Sequence, residues 1–167
     1  MKFNIRIYSL PLIFMLVISA CTKKPDIEYT STYKMAGEWF VTYFNNAAPN
    51  TPVTGVQHIY TYNTSDANSS QIWFDDHNNA TAAYRFKSKL DVDYSSLSFR
   101  PMAAADNTVT AGRTVKVLEG KVVPGGGHSK TGVVVDSIYL QVEFSNDPGK
   151  VYNITGHQRT GFFEDEL

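Results

Sequence analysis

The stretch GVVVDSIYLQVEF (132–144), followed by SNDPG (145–149) and KVYNITGHQRTGFF (150–163), decides the fold. Apolar residues of one parity recur along the first run: Val134, Ile138, Leu140, Val142 and Phe144. This alternation, with many β-branched residues, indicates a long strand. Pro148 sets φ at the second position of a four-residue turn, and Gly149 supplies the positive φ that a type II turn needs next. An antiparallel hairpin follows, and it needs further strands to bury its apolar face.

Upstream segments can supply those strands. We predict strands at 37–44, 56–62, 71–74 and 81–92, a short one around Leu97 and Phe99, and one or two more within 109–123. The segment PGGGH (124–128) is expected to be a hairpin loop at a barrel rim. About eight strands joined by polar turns are typical of a barrel or a sandwich. We therefore expect an all-β fold, an antiparallel barrel of about eight strands, with an open β-sandwich as the alternative.

The first twenty residues predict a lipoprotein signal peptide, because Lys2 and Arg6 precede an apolar run at 7–17 and small residues follow it. The segment ISAC (18–21) resembles the lipobox of bacterial lipoproteins, which implies that diacylglycerol modifies Cys21. The apolar run is shorter than the ~20 residues that a membrane-spanning helix needs. Residues 21–34 are then a lipidated cysteine and tether, and 35–167 form a single β-barrel domain.

Composition and the signal together predict a location. The formal net charge is −1, which gives no indication of nucleic-acid binding. A lipidated chain is expected to be attached to a membrane of the bacterial cell envelope, most simply the outer membrane. The periplasmic and surface faces are both compatible with this sequence. A protein partner within the envelope is compatible as well.

Two parts of the sequence resemble known families. The segment GEW (37–39) resembles the Gly-x-Trp signature of lipocalins and the wider calycin group. The segments VDSIY (135–139), EFSNDPG (143–149) and ITGHQRTGF (154–162), together with the lipobox, resemble small bacterial lipoproteins described as lipid-binding putative hydrolases. This resemblance implies a calycin-like barrel in which Arg159 lies on Trp39 and closes one end. A solvent-facing Arg159 is the alternative.

A binding role is the function that we expect. The ligand would be a hydrophobic or amphipathic, lipid-like small molecule held by aromatic and polar side chains in the barrel, without a cofactor. The candidate binding residues are Trp39, Tyr43, His58, Tyr60, Tyr62, Trp73 and Tyr84. The plain alternative is that most of these aromatics fill the core.

Three other functions stay open. A hydrolase would need a nucleophile beside a base, and Asp136, Ser137 and His157 have suitable side chains. However, adjacent strand residues point to opposite faces, so Asp136 and Ser137 do not easily converge on one histidine. A carboxylate pair would have to come from the strand acids, namely Glu38, Asp136 and Glu143. The other two functions are an accessory subunit with an exposed apolar patch and a glycan binder with Phe40 and Phe44 on its surface.

We predict no metal site. The four histidines are His58, His77, His128 and His157. They are scattered along the chain, without the paired spacing that is typical of zinc ligands.

Overall fold

The computed structural model describes residues 26–66, 68–77 and 83–167. The predicted signal peptide, the predicted lipidation site Cys21 and the start of the tether lie outside these residues. Within them, the chain forms nine strands and one short 3-10 helix at Phe163–Asp165. The strands are β1 (Gly37–Asn45), β2 (Gln57–Asn63), β3 (Gln71–Asp75), β4 (Lys87–Asp93), β5 (Ser98–Phe99), β6 (Met102–Asp106), β7 (Thr114–His128), β8 (Val134–Phe144) and β9 (Val151–Gln158). No helix of the described residues has the length and apolarity that a membrane crossing requires.

The sheet closes on itself. Its hydrogen-bonded order is β5-β4-β3-β2-β1-β9-β8-β7-β6, and β5 also pairs with β7. Every pairing is antiparallel. Eight strands therefore form a closed barrel, and β6 is an additional strand that continues along β7. The predicted antiparallel barrel is confirmed.

The hairpin that decides the fold forms as expected. In register, Ile138 faces Gly156 and Val142 faces Tyr152 across β8 and β9. The N–H of Lys150 donates to the Asp147 carbonyl at 3.3 Å, and Gly149 has φ of 82°. These values give the type II turn that the Pro-Gly pair predicts.

Strand β7 runs through the segment that we expected to be a loop. PGGGH (124–128) belongs to β7, with a register shift between Val123 and Gly127, so the loop prediction was wrong. The bulge absorbs the extra residues, and Gly125 takes a positive φ of 63° there. The Gly125 N–H donates to Asp136 Oδ1 at 2.8 Å. The hairpin turn lies further along, at residues 129–133.

Strand β6 was missed, and β4 begins later than expected. The β6 sequence MAAAD is rich in alanine and lacks an apolar-polar alternation, so it gives little strand signal. Predicted strand 81–92 begins at Lys87 in the structure, because the chain turns at residues 83–84 before the ladder with β3 starts.

The interior is filled by the inward-facing side chains. Trp39, Val41 and Tyr43 of β1 are at most 1% exposed. They pack with the apolar residues of the other strands, among them Ile72, Phe74, Phe86, Leu90, Leu140, Phe144, Tyr152 and Ile154. The outward faces of the strands carry polar groups. In β4 the inward-facing Ser88, Leu90 and Val92 are buried, whereas the outward-facing Lys87, Lys89 and Asp91 are half-buried.

The two ends of the barrel differ. The end that we name the tether end holds the N-terminal segment 26–35, the start of β1, the tip of the β7–β8 hairpin and the C-terminal residues 159–167. The Met35 side chain is fully buried there, and its carbonyl accepts a hydrogen bond from Thr61 Oγ1 at 2.6 Å. The far end holds the loop that follows β1 and the Pro148-Gly149 turn.

Candidate functional site

A gap in the wall lies between β4 and β6, and we name it the seam. These two strands do not pair with each other, because β4 pairs with β3 and β5 while β6 pairs with β7. Backbone hydrogen bonds connect the two sides of the gap at each of its ends. The N–H of Arg100 donates to the Asp91 carbonyl at 2.8 Å, and that of Thr108 donates to the Lys87 carbonyl at 2.9 Å. Between these points, side chains from both edges border an open groove.

The seam groove has a volume of about 320 Å³. Its lining residues are Gln71, Trp73, Lys89, Met102, Ala104, Ala105, Asp106 and Thr108. Trp73 and Met102 supply apolar surface, and the small Ala104 and Ala105 leave the space open. Lys89 and Gln71 lie on one side and Asp106 on the other, so the groove offers an apolar floor with polar groups at its borders. This combination is typical of sites for amphipathic small molecules.

Cations surround the Trp73 ring on the outer face. The ammonium groups of Lys89 and Lys87 lie 5.4 and 5.5 Å from the ring centroid. Register explains this contact, because Trp73 faces Lys89 directly across β3 and β4. Among the described residues, the ion-pair partner of Lys89 is the Asp66 carboxylate, at a distance of 4.0 Å. Its ammonium therefore remains accessible to a polar group in the groove.

Lys87 forms an ion pair with the neighbouring Asp75 carboxylate. Its Nζ lies 2.8 Å from Asp75 Oδ2, which also accepts a hydrogen bond from the Tyr62 hydroxyl at 2.9 Å. Burial tends to raise the pKa of Asp75, but hydrogen bonds from Lys87, the His77 N–H and Tyr62 outweigh it and lower that pKa. The Asp75 hydrogen bond in turn raises the pKa of Lys87 to about 12. The Lys87–Asp75 pair thus holds Trp73 and Tyr62 in place.

The predicted binding residues do not share one cavity. Trp39 and Tyr43 point inward, whereas His58, Tyr60, Tyr62 and Trp73 point outward and are half-buried. These four side chains face away from the interior, because Ile59 and Thr61 of β2 and Ile72 and Phe74 of β3 are the residues that enter the core. Tyr84 contacts Tyr43 and Tyr152 at the far end, with ring centroids 6.4 and 5.1 Å apart. Only Trp73 of the set lines the seam groove.

The interior tyrosine of β1 has one unusual feature. Among the described residues, the buried Tyr43 hydroxyl has no hydrogen-bond partner. Burial, together with the nearby Asp76 carboxylate, raises the pKa of Tyr43 well above its usual value. Tyr43 is therefore a neutral phenol in the core.

Arg159 lies elsewhere than the resemblance implied. In the β1–β9 ladder Gln158 faces Trp39, so the next residue, Arg159, points outward. Its Nη1 lies 2.8 Å from Glu38 Oε2 and its Nη2 lies 2.6 Å from Glu166 Oε1. The Trp39 indole instead donates to Thr61 Oγ1 at 2.8 Å. The guanidinium fastens the C-terminal segment to β1, as an outward-facing arginine.

A row of rings crosses the outer face of β2, β1 and β9. Phe40 lies between His58 and His157, with ring centroids at 5.3 and 6.0 Å. His58 Nε2 also lies 3.1 Å from Glu38 Oε2. Because these histidines cover Phe40, it is only 3% exposed. Phe40 therefore does not form the open platform that glycan binding would need.

The residues considered for a nucleophilic site, Asp136, Ser137 and His157, lie near one another but do not form a hydrogen-bonded triad. Ser137 faces His157 directly across β8 and β9. No hydrogen bond connects their side chains in the described part of the chain, and Asp136 accepts instead from the Gly125 N–H. The described residues also contain no cluster of three or more His, Cys, Asp or Glu that could hold a metal ion.

The groove could not be found from the sequence. The outward position of Lys87 and Lys89 follows from alternation along β4, but their contact with Trp73 depends on the strand register. Met102 and Ala104 belong to β6, which gives no clear strand signal. The sequence signal for this groove was limited to an aromatic residue on one strand, Trp73, and two lysines on the next strand, Lys87 and Lys89.

Comparison with known proteins gives one family. A family model described as lipid-binding putative hydrolase matches residues 24–163. No curated protein matches the chain.

Proposed function

Because this chain belongs to the lipid-binding putative hydrolase family, we propose that it binds a lipid-like amphiphile in the seam groove. The family description indicates lipid binding. The observation that carries the assignment to this site is the apolar floor between Trp73 and Met102, bordered by the Lys89 ammonium. The protein would act as a lipid-anchored binding protein of the cell envelope, attached through Cys21.

The dimensions of the groove favour a single chain of the ligand. Its volume of about 320 Å³ is at the lower end of the ~300–1,000 Å³ that small-molecule sites occupy. An acyl chain would lie along Trp73, Met102 and Ala104. An anionic or zwitterionic head would sit beside Lys89 and Gln71, away from the Asp106 carboxylate at the other border.

Two adjacent alanines of β6 provide a matched test. Both are exposed, but Ala104 lines the seam groove, whereas Ala103 lies on the other side of β6, toward Thr114 and Lys116. In Ala104→Trp the indole would occupy the groove, while Ala103→Trp adds the same bulk outside it. Binding of dansyl-labelled undecanoic acid to the full mature chain is followed by dansyl fluorescence.

We expect Ala104→Trp to weaken binding at least about tenfold, which corresponds to 1.4 kcal/mol. Ala103→Trp should bind as the unmodified chain does. Equal probe affinity of the two variants would show that the ligand does not bind in the seam groove. Lipid binding itself would be refuted if the unmodified chain did not bind this probe and native mass spectrometry detected no amphiphile that it binds.

A further inference from the structure

Exposed apolar side chains collect at the tether end. Apart from Val56 and Val109, every large hydrophobic residue that is exposed in the described part of the chain lies there. They are Ile27, Tyr29, Tyr33, Val133, Val134, Phe162, Phe163 and Leu167. Phe163 is 89% exposed and Val134 is 61% exposed. Large exposed apolar surfaces on proteins commonly mark a contact with another molecule or a membrane.

These side chains belong to segments that the fold holds in place. The buried Asp165 carboxylate accepts from the Thr131 N–H at 2.7 Å and from Thr160 Oγ1 at 2.8 Å. The bond to Thr131 fastens the C-terminal turn to the tip of the β7–β8 hairpin. Phe162 and Phe163 are consequently presented outward by an ordered turn. On the N-terminal side, the Tyr29 and Tyr33 rings stack with centroids 4.3 Å apart.

The chain reaches this end from the predicted lipid anchor. Ile27 follows Cys21 by six positions in the sequence. Six extended residues span at most about 20 Å. If Cys21 carries acyl chains, as the proposed function holds, then Ile27 and the tether end must remain within this distance of the lipid surface. The far end is separated from the anchor by the length of the barrel.

Charges at the tether end are mixed. The segments that form it carry three basic side chains and five acidic ones, namely Lys34, Lys130 and Arg159 against Asp26, Glu28, Glu164, Asp165 and Glu166. Acidic side chains are in slight excess, so attraction to anionic head groups is not the main interaction. Aromatic and aliphatic side chains are then the groups that would enter the interface between head groups and acyl chains, where amphipathic Tyr rings are favourable.

From these observations we propose that the tether end is a membrane-contact surface, in which Phe162, Phe163 and Val134 enter the head-group region of the bilayer. The bilayer fits better than a protein partner, because the anchor brings this end, and no other, to the lipid. The barrel then stands on the membrane with its far end directed away. This inference rests on the lipid anchor of the proposed function, and it does not depend on the seam groove.

The exposed valines at the two ends provide a matched test. Val134 at the tether end and Val56 at the far end are 61% and 51% exposed. The full lipidated chain is prepared as Val134→Cys, Phe163→Cys or Val56→Cys, in which the new cysteine is the only free thiol. Each variant is labelled with nitrobenzoxadiazole and reconstituted into phosphatidylethanolamine/phosphatidylglycerol vesicles. Vesicle-bound protein is isolated by flotation, and quenching by nitroxide-labelled lipid is measured.

We expect labels at 134 and 163 to be quenched at least about twofold more than the label at 56, since interfacial groups lie ~5–10 Å deep in the head-group boundary. Equal quenching at all three positions would overturn the proposal and favour a protein as the partner of this surface. A chain that does not float with vesicles would overturn it as well. Ala104→Trp in the same background should leave quenching unchanged, which separates failure of this surface from failure of the groove.

Discussion

The Lys89 ammonium lies 5.4 Å from the centroid of the Trp73 ring, on the border of the seam groove. A charged group beside an apolar floor should distinguish amphiphiles by their heads. We expect Lys89→Gln to weaken binding of a dansyl-labelled fatty acid about fivefold, since an exposed ion pair is worth up to ~1 kcal/mol. Binding of the corresponding uncharged alcohol should not change. Fluorescence titrations with both probes measure this difference.

The control for this charge effect is Lys121→Gln, which removes an exposed lysine of β7 outside the seam groove. It should bind both probes as the unmodified chain does. Equal losses for the acid and the alcohol in Lys89→Gln would show that the side chain acts through packing. The head group would then have to be assigned to another position.

Gly156 of β9 should be irreplaceable in the ladder with β1. A Cβ atom at this position would overlap the Phe40 carbonyl oxygen and would lie 2.7 Å from the Val41 Cα, both backbone atoms. We expect Gly156→Ala to lower the free energy of unfolding by about 3 kcal/mol or more, because overpacking that shifts backbone commonly costs 1–3 kcal/mol. Urea denaturation followed by tryptophan fluorescence measures the change.

Gly55→Ala is the matched control for Gly156→Ala. A Cβ atom at Gly55 would meet nothing within 4 Å. Its stability should stay within about 0.5 kcal/mol of the unmodified chain, as for ordinary surface substitutions. Comparable losses in the two variants would contradict the close approach of β9 to β1.

The Asp165 carboxylate should contribute stability that depends on pH. Burial tends to raise its pKa, but hydrogen bonds from Thr160, Thr131 and Ser129 lower it to about 2. A lowered pKa in the folded state means that the contribution is fully present above the ordinary pKa of about 4. It is lost as the pH falls from about 4 to 2. We expect Asp165→Asn to unfold at lower urea concentration at pH 6 and to lose less stability between pH 4 and 2.

Glu164→Gln tests whether the effect belongs to Asp165 alone. Glu164 is the exposed neighbour on the same short helix. Its substitution should leave the dependence of the unfolding free energy on pH unchanged. If Asp165→Asn and the unmodified chain lost stability in parallel below pH 4, other carboxylates would have to explain the acid sensitivity.

The Tyr43 hydroxyl offers a test of the barrel interior. It is buried without a partner, so Tyr43→Phe removes an unsatisfied polar group. We expect the variant to be as stable as the unmodified chain or more stable by about 1 kcal/mol. Tyr152→Phe is the comparison, since it loses a 2.5 Å hydrogen bond from the tyrosine hydroxyl to Asp147. That variant should be less stable by roughly 1–2 kcal/mol.

Thermal unfolding of the two tyrosine variants gives the difference directly. A destabilised Tyr43→Phe would mean that its hydroxyl has a partner in solution, such as a water molecule. Weaker amphiphile binding by Tyr43→Phe, with unchanged stability, would move the ligand from the seam groove into the interior. Tyr43 would then be a binding residue, as the sequence predicted.

Local patterns predicted every strand except β6, although not all of the bounds, because strand alternation and turn chemistry are properties of neighbouring residues. The β8–β9 hairpin and its Pro148-Gly149 turn are examples. Alternation also grouped His58, Tyr60 and Tyr62 correctly on one face of β2. It could not say which face enters the core, and the structure turns these residues outward. Their part in ligand binding stays a prediction.

Contacts between strands could not be predicted, since they depend on register. The guanidinium of Arg159 reaches Glu38 and Glu166 because Gln158, one residue earlier, faces Trp39. A shift of one residue would exchange the two side chains between the faces. The seam groove escaped prediction for a further reason. It exists where β4 and β6 fail to pair, and the sequence of β6 does not indicate a strand.

The pairing of β1 with β9 determines when the barrel can be completed. The register joins Trp39 with Gln158 and Asn45 with Tyr152, so the first strand finds one of its two partners only near the end of the chain. During synthesis β1 must wait for almost the whole domain, with one edge able to pair with other strands. Folds with many such distant pairings complete folding slowly, in milliseconds to seconds. Truncation before Val151 would therefore leave an unclosed sheet with two unpaired edges, rather than a smaller barrel.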